Sequence, residues 1–315
     1  MSIKEIMDRL NLMVARYKVL NRSYFAVGAV AVGLVVFGAI RIGTDKENVS
    51  ALLQGVVMIL VAAVVLGSVC TNGEKEKDKL EKNFVEEYKS ELIPMILKNQ
   101  FDSFAYDWRQ GFDKTQAADY VLMNANNEFL SEDLLTGEYK GVRFEQASVR
   151  TVTPMNYSLA ANSNSQTPMP DFTGRMIKFH AEGKEVEFVK IYSRKFKYKS
   201  KLPRDKEFKK VILEDVAFNN RFEVDATKAE DAFYVLTPHM MQTIKDLTER
   251  YESLEICFRG TDIIIVYYID SYQKQSYEPS IFEKLDYYTE NVNIKKHFGV
   301  ITDFINELNL EREEQ

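Results

Sequence analysis

Cysteine is scarce in this chain, and its scarcity excludes a disulfide-stabilised fold. The sequence contains two cysteines, Cys70 at the end of an apolar run and Cys257 in a strand-like segment. Disulfide frameworks of secreted domains need several cysteines at short spacings. The two cysteines instead fit a protein of a reducing compartment.

The familiar motifs of catalysis and metal binding are also missing. The sequence contains no Walker loop, no Gly-x-Ser-x-Gly elbow, no His-Glu-x-x-His and no Cys-x-x-Cys pair. Its three histidines, His180, His239 and His297, lie on different predicted elements without the spacing of metal ligands. We therefore predict no cofactor and no metal site, and no motif identifies a catalytic residue.

A positive net charge is missing as well. The formal net charge is −6, whereas proteins that bind nucleic acid usually carry net or strongly clustered positive charge. Nucleic acid is therefore not a predicted partner. With 45% hydrophobic and 12% aromatic residues, the chain can bury a substantial core and is not predicted to be disordered.

Two long uncharged runs near the N-terminus predict a transmembrane helical hairpin over residues 24–70. The runs are 24–40 and 49–70, and both are long enough to cross a bilayer. The short connection between them places their outer ends on the same side of the membrane. Small residues four apart predict close packing of the two helices, at Ala29/Gly33, Ala51/Gly55 and Ala63/Gly67.

Lysine and arginine residues around the two runs predict the orientation of the hairpin. Basic residues are concentrated before the first run and after the second, at Lys4, Arg9, Arg16, Lys18, Arg22, Lys75, Lys77, Lys79 and Lys82. The connection and its edges hold Arg41 and Lys46. The positive-inside bias predicts a multi-pass protein of the inner membrane with both termini in the cytoplasm.

Residues 1–23 are predicted to form an amphipathic N-terminal helix. A narrow apolar seam recurs at alternating steps of four and three residues, at Ile3, Met7, Leu10, Val14 and Tyr17. Such a seam either lies in the membrane interface or packs against another helix. The interfacial helix is the default expectation.

Residues 71–315 predict a cytoplasmic α+β domain with an antiparallel sheet and a C-terminal amphipathic helix. Strands are expected at 139–152 after a Thr136-Gly137 turn, at 233–236, and in two hairpins, 172–180 with 185–198 and 255–258 with 262–269. Thr237 and Pro238 are typical of a helix N-cap and first helical position. The Asn-, Ser- and Pro-rich segment 154–171 is predicted to be a flexible loop.

Three segments of this region are similar to a known family. They are SEDLLTGEYKGVRFEQASV at 131–149, FTGRMIKF at 172–179 and VAFNNRFEVDATKAEDAFYVLTPHMMQTI at 216–244. They resemble the bacterial domain-of-unknown-function family numbered thirty-one thirty-seven, in order and over roughly residues 76–290. The resemblance implies two N-terminal membrane helices and, as a possible partner, a LemA-type membrane protein. It implies no activity, ligand or catalytic residue.

The densest polar cluster lies in the third of these segments and carries the alternative function, a membrane-tethered, hydrolase-like enzyme with a site near Arg221 to His239. Its members are Asn219, Asn220, Arg221, Glu223, Asp225, Asp231 and His239. Glu223 or Asp225 would act as general base with His239 as its partner. The structural interpretation, which we favour, is a turn at Asn219-Asn220 followed by a strand with solvated carboxylates.

A basic segment at 190–210 contrasts with the acidic chain, because it carries a formal charge of +8. Within it Lys195, Lys197, Lys199 and Lys201 alternate with apolar residues, which on a strand places four ammonium groups on one face. These lysines predict either contact with anionic lipid headgroups or an edge strand that lysines keep soluble. We favour the edge strand.

The sequence as a whole favours a membrane-anchored cytoplasmic binding or scaffold module in an envelope-associated assembly. The expected partners are the bilayer, possible anionic lipid headgroups and a second membrane protein. An enzyme is the less favoured alternative.

Overall fold

The computed structural model describes residues 2–44, 49–119, 128–152, 172–181, 185–194, 208–251, 254–269 and 279–310. The chain divides into two compact units. The first comprises Met1–Ile96 with Pro279–Val292, and the second comprises Leu97–Glu278 with Asn293–Gln315. The segment 153–171, which contains the predicted loop 154–171, lies outside the described residues.

The first unit is built on two long helices. Helix α1 spans Ile3–Thr44, and α2 spans Val49–Glu87 and continues through a π-helical turn, Tyr88–Leu92, into α3, Ile93–Leu97. Both helices are long and apolar enough to cross a membrane, which suggests membrane association. Helix α1 runs without a break through residue 23, so the predicted N-terminal helix and the first apolar run form one element.

The two helices approach each other closely at Gly38 and Gly55. A Cβ atom added to Gly38 would lie 2.8 Å from the Gly55 carbonyl oxygen, and one added to Gly55 would lie 2.8 Å from the Gly38 carbonyl oxygen. Only a residue without a side chain allows this backbone contact. Gly33 and Gly67 are exposed and have no atom within 4 Å of an added Cβ, so the predicted pairs Ala29/Gly33 and Ala63/Gly67 do not make the contact.

The apolar seam of α1 is buried within the protein rather than presented to a membrane interface. Leu10 is fully buried, and Met7, Val14 and Tyr17 are at most 9% exposed. Phe84, Tyr88 and Leu92, four residues apart along α2 and the π-helical turn, are buried as well. The seam from Met7 to Tyr17 therefore packs against other parts of the protein, which favours the alternative to the interfacial default.

Polar contacts fix the antiparallel register of the hairpin outside the apolar runs. The Arg9 guanidinium pairs with Glu87 at 2.8 Å and also with Glu91, and Lys77 Nζ donates to Asn21 Oδ1 at 2.6 Å. The α1 residues rise in number as their α2 partners fall. The helices therefore stay paired from Gly38 and Gly55 down to their outer ends.

The segment Pro279–Val292 is held on the first unit by Asn11. The Asn11 side-chain amide donates to the Leu285 carbonyl at 3.1 Å and accepts from the Leu285 amide at 2.8 Å. Tyr88 donates to Glu290, and burial raises the pKa of that carboxyl although the hydrogen bond acts in the opposite direction. Side-chain amides are well suited to this clamp because they donate and accept at once.

The second unit contains a nine-stranded sheet with the spatial order β1-β2-β3-β4-β9-β8-β5-β7-β6. The strands are β1 Ser103–Asp107, β2 Glu128–Tyr139, β3 Val142–Val152, β4 Phe172–His180, β5 Val186–Ser193, β6 Lys209–Lys210, β7 Phe222–Ala226, β8 Leu254–Gly260 and β9 Asp262–Tyr268. The remaining helices are α4 Lys114–Asp119, α5 Val216–Arg221, α6 Ala229–Val235, α7 Pro238–Arg250 and α8 Tyr287–Glu307. Every strand pairing among the described residues is antiparallel, which confirms the predicted α+β class with an antiparallel sheet and a C-terminal helix.

Local signals placed several elements correctly. The hairpin of β8 and β9 is confirmed, and so is the N-cap of α7, where the Thr237 hydroxyl accepts from the Met240 amide at 3.2 Å. Thr136 and Gly137 instead lie inside β2. The turn falls at Lys140 and Gly141, whose φ angles of 50° and 75° suit a tight hairpin.

Two predicted strand arrangements are wrong. Strands β4 and β5 do not form a hairpin, because β8 and β9 insert between them in the sheet. The apolar run 233–236 is predicted as a strand, but its first three residues belong to helix α6.

Both faces of the central strands are buried, which explains their unbroken apolar runs. On one face of β9, Ile264 and Val266 join a cluster with Met176 and Phe188. On the other face, the Tyr267 ring lies 5.0 Å from that of Tyr251, between α7 and β8, and 6.2 Å from that of Phe304 on α8. Continuous apolar runs are expected where a sheet is covered on both sides.

An ion pair is buried on the face of the sheet that carries Ile264 and Val266. Lys190 on β5 and Glu255 on β8 are 1% and 0% exposed, and Lys190 Nζ lies 2.5 Å from Glu255 Oε1. Burial raises the pKa of Glu255, and the neighbouring ammonium acts in the opposite direction. Removing one member of such a pair leaves an uncompensated charge in the core.

We expect Gly38→Ile to destabilise the helical hairpin by about 1–3 kcal/mol, the usual cost of overpacking a close contact. Thermal unfolding of the full chain in detergent, followed by circular dichroism, measures the effect. Gly33→Ile is the matched control, because it adds the same side chain to the same helix in open space. Equal midpoints for the two variants would contradict the contact.

We expect Lys190→Met alone to cost roughly 3–5 kcal/mol in the free energy of unfolding, since it leaves Glu255 buried and unpaired. The double variant Lys190→Met with Glu255→Leu should be more stable than Lys190→Met, because it removes the stranded charge as well. Urea unfolding of the full chain in detergent gives the double-mutant cycle. Strictly additive losses would show that the two side chains are not coupled.

Candidate functional site

The lysine ladder, defined as Lys195, Lys197, Lys199 and Lys201, lies outside the residues that the structure describes. The described chain breaks off after Arg194 and resumes at Phe208, just before β6. Strand β6 is an edge strand of two exposed lysines, Lys209–Lys210. Short, lysine-bearing edges prevent sheets from pairing with one another. Contact between the lysine ladder and lipid stays a prediction.

Glu223 and Asp225, the two candidate bases, meet at the hydroxyl of Tyr192. Tyr192 Oη lies 2.8 Å from Glu223 Oε2 and 2.8 Å from Asp225 Oδ2. The three residues face one side of the sheet, since Tyr192 opposes Glu223 across the β5–β7 pairing. One phenolic proton therefore serves two carboxylates.

This arrangement keeps the Tyr192 hydroxyl protonated. Burial first, and then the hydrogen bonds to Asp225 and Glu223, raise the pKa of Tyr192 far above its ordinary value. A phenol in this state is a hydrogen-bond donor rather than a base or nucleophile. The arrangement therefore joins β5 to β7 through side-chain hydrogen bonds.

Asn219 of the cluster and the neighbouring Arg194 also have structural partners. Arg194 pairs with Glu223 at 2.6 Å and donates from Nε to the Asn219 carbonyl at 3.0 Å. The Asn219 side chain bonds both the amide and the carbonyl of Leu213, at 3.1 and 2.6 Å. Asn219 lies in α5 rather than in the predicted turn, and its amide holds the chain that enters that helix.

Asp215 and Lys245 complete the anchoring of α5. The Asp215 carboxylate caps the helix by accepting from the Phe218 amide at 2.9 Å, and it pairs with Lys245 at 3.0 Å. These hydrogen bonds lower the pKa of Asp215, with the cap as the larger cause. An N-cap carboxylate is a standard way to satisfy the free amides of a first helical turn.

The proposed catalytic partner, His239, has a different neighbour. Its Nε2 lies 3.5 Å from the Asn309 amide nitrogen, near the C-terminal end of α8. Asp231 accepts from the Glu187 backbone amide at 2.9 Å. The structure thus assembles Glu223 and Asp225 around Tyr192 and gives Asp231 and His239 other contacts. Asn220 lies in α5, and Arg221 at its end lies 3.8 Å from Glu249.

Sequence reasoning missed the part of the site that β5 supplies. Lys190 and Tyr192 occupy alternate positions on β5, so they share one face of the strand and form its polar row, and Arg194 follows directly after the strand. The available signal was a period-two polar pattern within the apolar strand Val186–Ser193. Their partners could not be found in this way, because Glu223 and Glu255 lie 31 and 65 residues further along the chain.

The remaining nucleophilic and ligating groups do not converge. Within the ranges that the structure describes, no three His, Cys, Asp or Glu side chains are placed to hold a metal ion. Cys257 is fully buried, and burial raises the pKa of its thiol, which disfavours the reactive thiolate. His180 Nδ1 lies 3.0 Å from Asp262, across the β4–β9 pairing.

Comparison with solved structures gives a distant neighbour. The crystal structure of the mycobacterial trehalose monomycolate transport factor A is 10% identical, covers 70% of this chain and 96% of that chain, and has a TM-score of 0.34. A score of this size supports no inference about fold or function. No curated protein matches the chain significantly.

The family comparison is more informative. The segments 172–179 and 216–244, which carry the resemblance noted from the sequence, fall within the matched residues, whereas 131–149 does not. The match begins at β4 and extends past the end of α8. Over residues 171–310 this chain is similar to the family described as "Protein of unknown function (DUF3137)", which confirms the predicted family.

Proposed function

We propose that this protein is a membrane-anchored binding or scaffold module that acts in the cytoplasm as part of an envelope-associated assembly. The observation that carries the proposal is the length of the helical hairpin. From residue 70, the end of the second apolar run, the helix continues to Leu97, a distance of about 40 Å at 1.5 Å per residue. We define the stalk as residues 3–23 of α1 together with residues 71–97 of the second helix, and each helix passes from its apolar run into the stalk without a break.

The stalk has the features of a rigid spacer. Its apolar seam is buried, and Arg9 on the first helix forms ion pairs with Glu87 and Glu91 on the second. A flexible linker would suffice to keep a soluble enzyme at the membrane. A paired helical stalk is instead a preformed structure, which favours the recognition of a partner with a fixed geometry.

The proposed location is the inner membrane, with both termini in the cytoplasm. Basic residues flank the outer ends of the apolar runs and are few in the connection between them, which is the pattern of a cytoplasmic stalk. A LemA-type membrane protein is the partner that the family resemblance implies. Its co-purification from native membranes with the full chain, but not with a chain whose stalk is altered, would support it.

The hydrolase-like alternative receives less support. Glu223 and Asp225 share the hydroxyl of Tyr192, and His239 lies against Asn309. Each of these contacts has a structural purpose that needs no reaction. The polar cluster therefore favours the binding module over an enzyme with a site near Arg221 to His239.

We expect a reporter enzyme that is active only in the periplasm to stay silent when it is fused after Gln315. The same reporter inserted between Thr44 and Val49 should be active, because that connection is proposed to face the periplasm. Activity measured in intact cells distinguishes the two fusions. Activity of the C-terminal fusion would contradict the orientation.

Contact of the lysine ladder with anionic lipid is a second proposal, motivated by the +8 charge of residues 190–210. A photoreactive residue in place of Tyr198, in the full chain in vesicles, should cross-link to lipid when phosphatidylglycerol is present and less as salt rises. Replacing Lys195, Lys197, Lys199 and Lys201 by Gln should abolish the cross-link. Equal cross-linking in neutral vesicles would leave the ladder as a solvated strand edge.

A further inference from the structure

A groove lies between the two helices where the apolar runs end. It has a volume of about 480 Å³, and its walls come from α1 and α2. The lining residues are Asn21, Arg22, Tyr24, Phe25, Gly73, Glu74 and Lys77. The groove belongs entirely to the first unit.

Its position along the helices corresponds to the headgroup layer of a membrane. Tyr24 is the first residue of the uncharged run 24–40, and Gly73 follows the run 49–70 by three residues. Phe25 is 81% exposed, as expected of a side chain that faces lipid. Tyrosine and basic side chains are enriched at this depth.

Tyr24 on α1 connects the two walls of the groove through its contacts with α2. Its ring lies against the α2 backbone at Gly73, where an added Cβ would come within 3.0 Å of the ring carbons. Its hydroxyl donates to Glu76 at 2.9 Å, and Lys77 Nζ lies 5.5 Å from the ring centroid. Lys77 also donates to Asn21, so its ammonium group is positioned at the groove.

Two charges of opposite sign are left available at the groove. Arg22 and Glu74 both line it, and neither forms an ion pair with any residue that the structure describes. Lys77 uses one of its three donors on Asn21. The groove therefore presents donors for a phosphate and a carboxylate acceptor for a cation, close to an apolar surface.

We propose that this groove binds a membrane phospholipid whose headgroup carries both a phosphate and a primary ammonium group, such as phosphatidylethanolamine. Arg22 and Lys77 bind the phosphate, Glu74 accepts hydrogen bonds from the ammonium, and an acyl chain lies along Phe25. Guanidinium and ammonium groups are the usual partners of phosphate. A choline headgroup has no N–H to donate to Glu74, and a glycerol headgroup has no positive charge.

This inference rests on the proposed membrane anchorage but not on its orientation, because the groove would lie in the headgroup layer of either leaflet. The topology reporter and the lipid measurement can therefore fail separately. A correct topology with no lipid preference would overturn the site and leave the anchor intact.

The test is native mass spectrometry of the full chain in detergent, titrated with dioleoyl phosphatidylethanolamine, phosphatidylcholine or phosphatidylglycerol. We expect one phosphatidylethanolamine per chain, bound at least tenfold more tightly than the other two lipids. Soluble phosphoethanolamine serves as a competitor. If it displaces the lipid at equal concentration, the ligand is the soluble headgroup and the acyl contact is wrong.

Variants of the charged walls decide which groups act. Arg22→Gln with Lys77→Gln should weaken binding of all three lipids at least tenfold, and Glu74→Lys should reverse the preference toward phosphatidylglycerol. Arg16→Gln with Lys79→Gln is the matched control, since it removes the same two positive charges from exposed residues of the same helices that do not line the groove. Unfolding midpoints show whether each variant is folded. Equal affinity of the wild type for the three lipids, or unchanged binding in folded groove variants, would overturn the proposal.

Discussion

The close contact between Gly38 and Gly55 is the constraint on which the first unit depends. In hydrocarbon, two helices gain little from burying apolar side chains, since lipid is equally apolar, and they associate through backbone approach and packing. Gly38 and Gly55 allow that approach, with the carbonyl oxygen of each lying where the side chain of the other would stand. Once the helices are this close, their continuations must run side by side.

Outside the apolar runs 24–40 and 49–70, the same two helices are held together by different contacts. Beyond the apolar runs water competes for every polar group, so the pair needs a hydrophobic seam to stay associated. The seam appears at this point, as Leu10 on α1 and Phe84 on α2, both fully buried. Arg9 and Asn11 then add contacts that depend on register. One pair of helices thus combines a close backbone contact at Gly38 and Gly55 with ordinary core packing around Leu10 and Phe84.

The second unit follows a different rule, because the central strands of its sheet are buried on both faces. A strand in such a sheet has little solvated side, and a polar residue on it must find a partner within the sheet. Lys190 finds Glu255 on β8, and Tyr192 finds Glu223 and Asp225 on β7. The polar row of β5 therefore ties together three strands that are far apart in sequence.

The elements that could be predicted are those whose signals are local. The hairpin of β8 and β9, the Thr237 cap and the helix with Ile294, Phe298 and Ile301 on one face all depend on residues a few positions apart. The insertion of β8 and β9 between β4 and β5 has no local signal, since sixty or more residues separate the insertion from the strands it divides. The partner of Lys190 was hidden for the same reason.

The contacts of the candidate site, too, could not be predicted from local sequence patterns. The sequence marked residues 219–239 correctly as polar and family-like, but it could not show that Asn219 clamps Leu213 or that Tyr192 joins the two carboxylates. Polar residues that are spaced closely in sequence suggested a reaction, and their contacts assign them to holding α5 and β7 in place. The groove of the helical hairpin is the opposite case, because no sequence pattern pointed to its residues. Arg22 and Glu74 look unremarkable in sequence, yet they line one surface, unpaired with described residues, at the depth where a zwitterionic headgroup would lie.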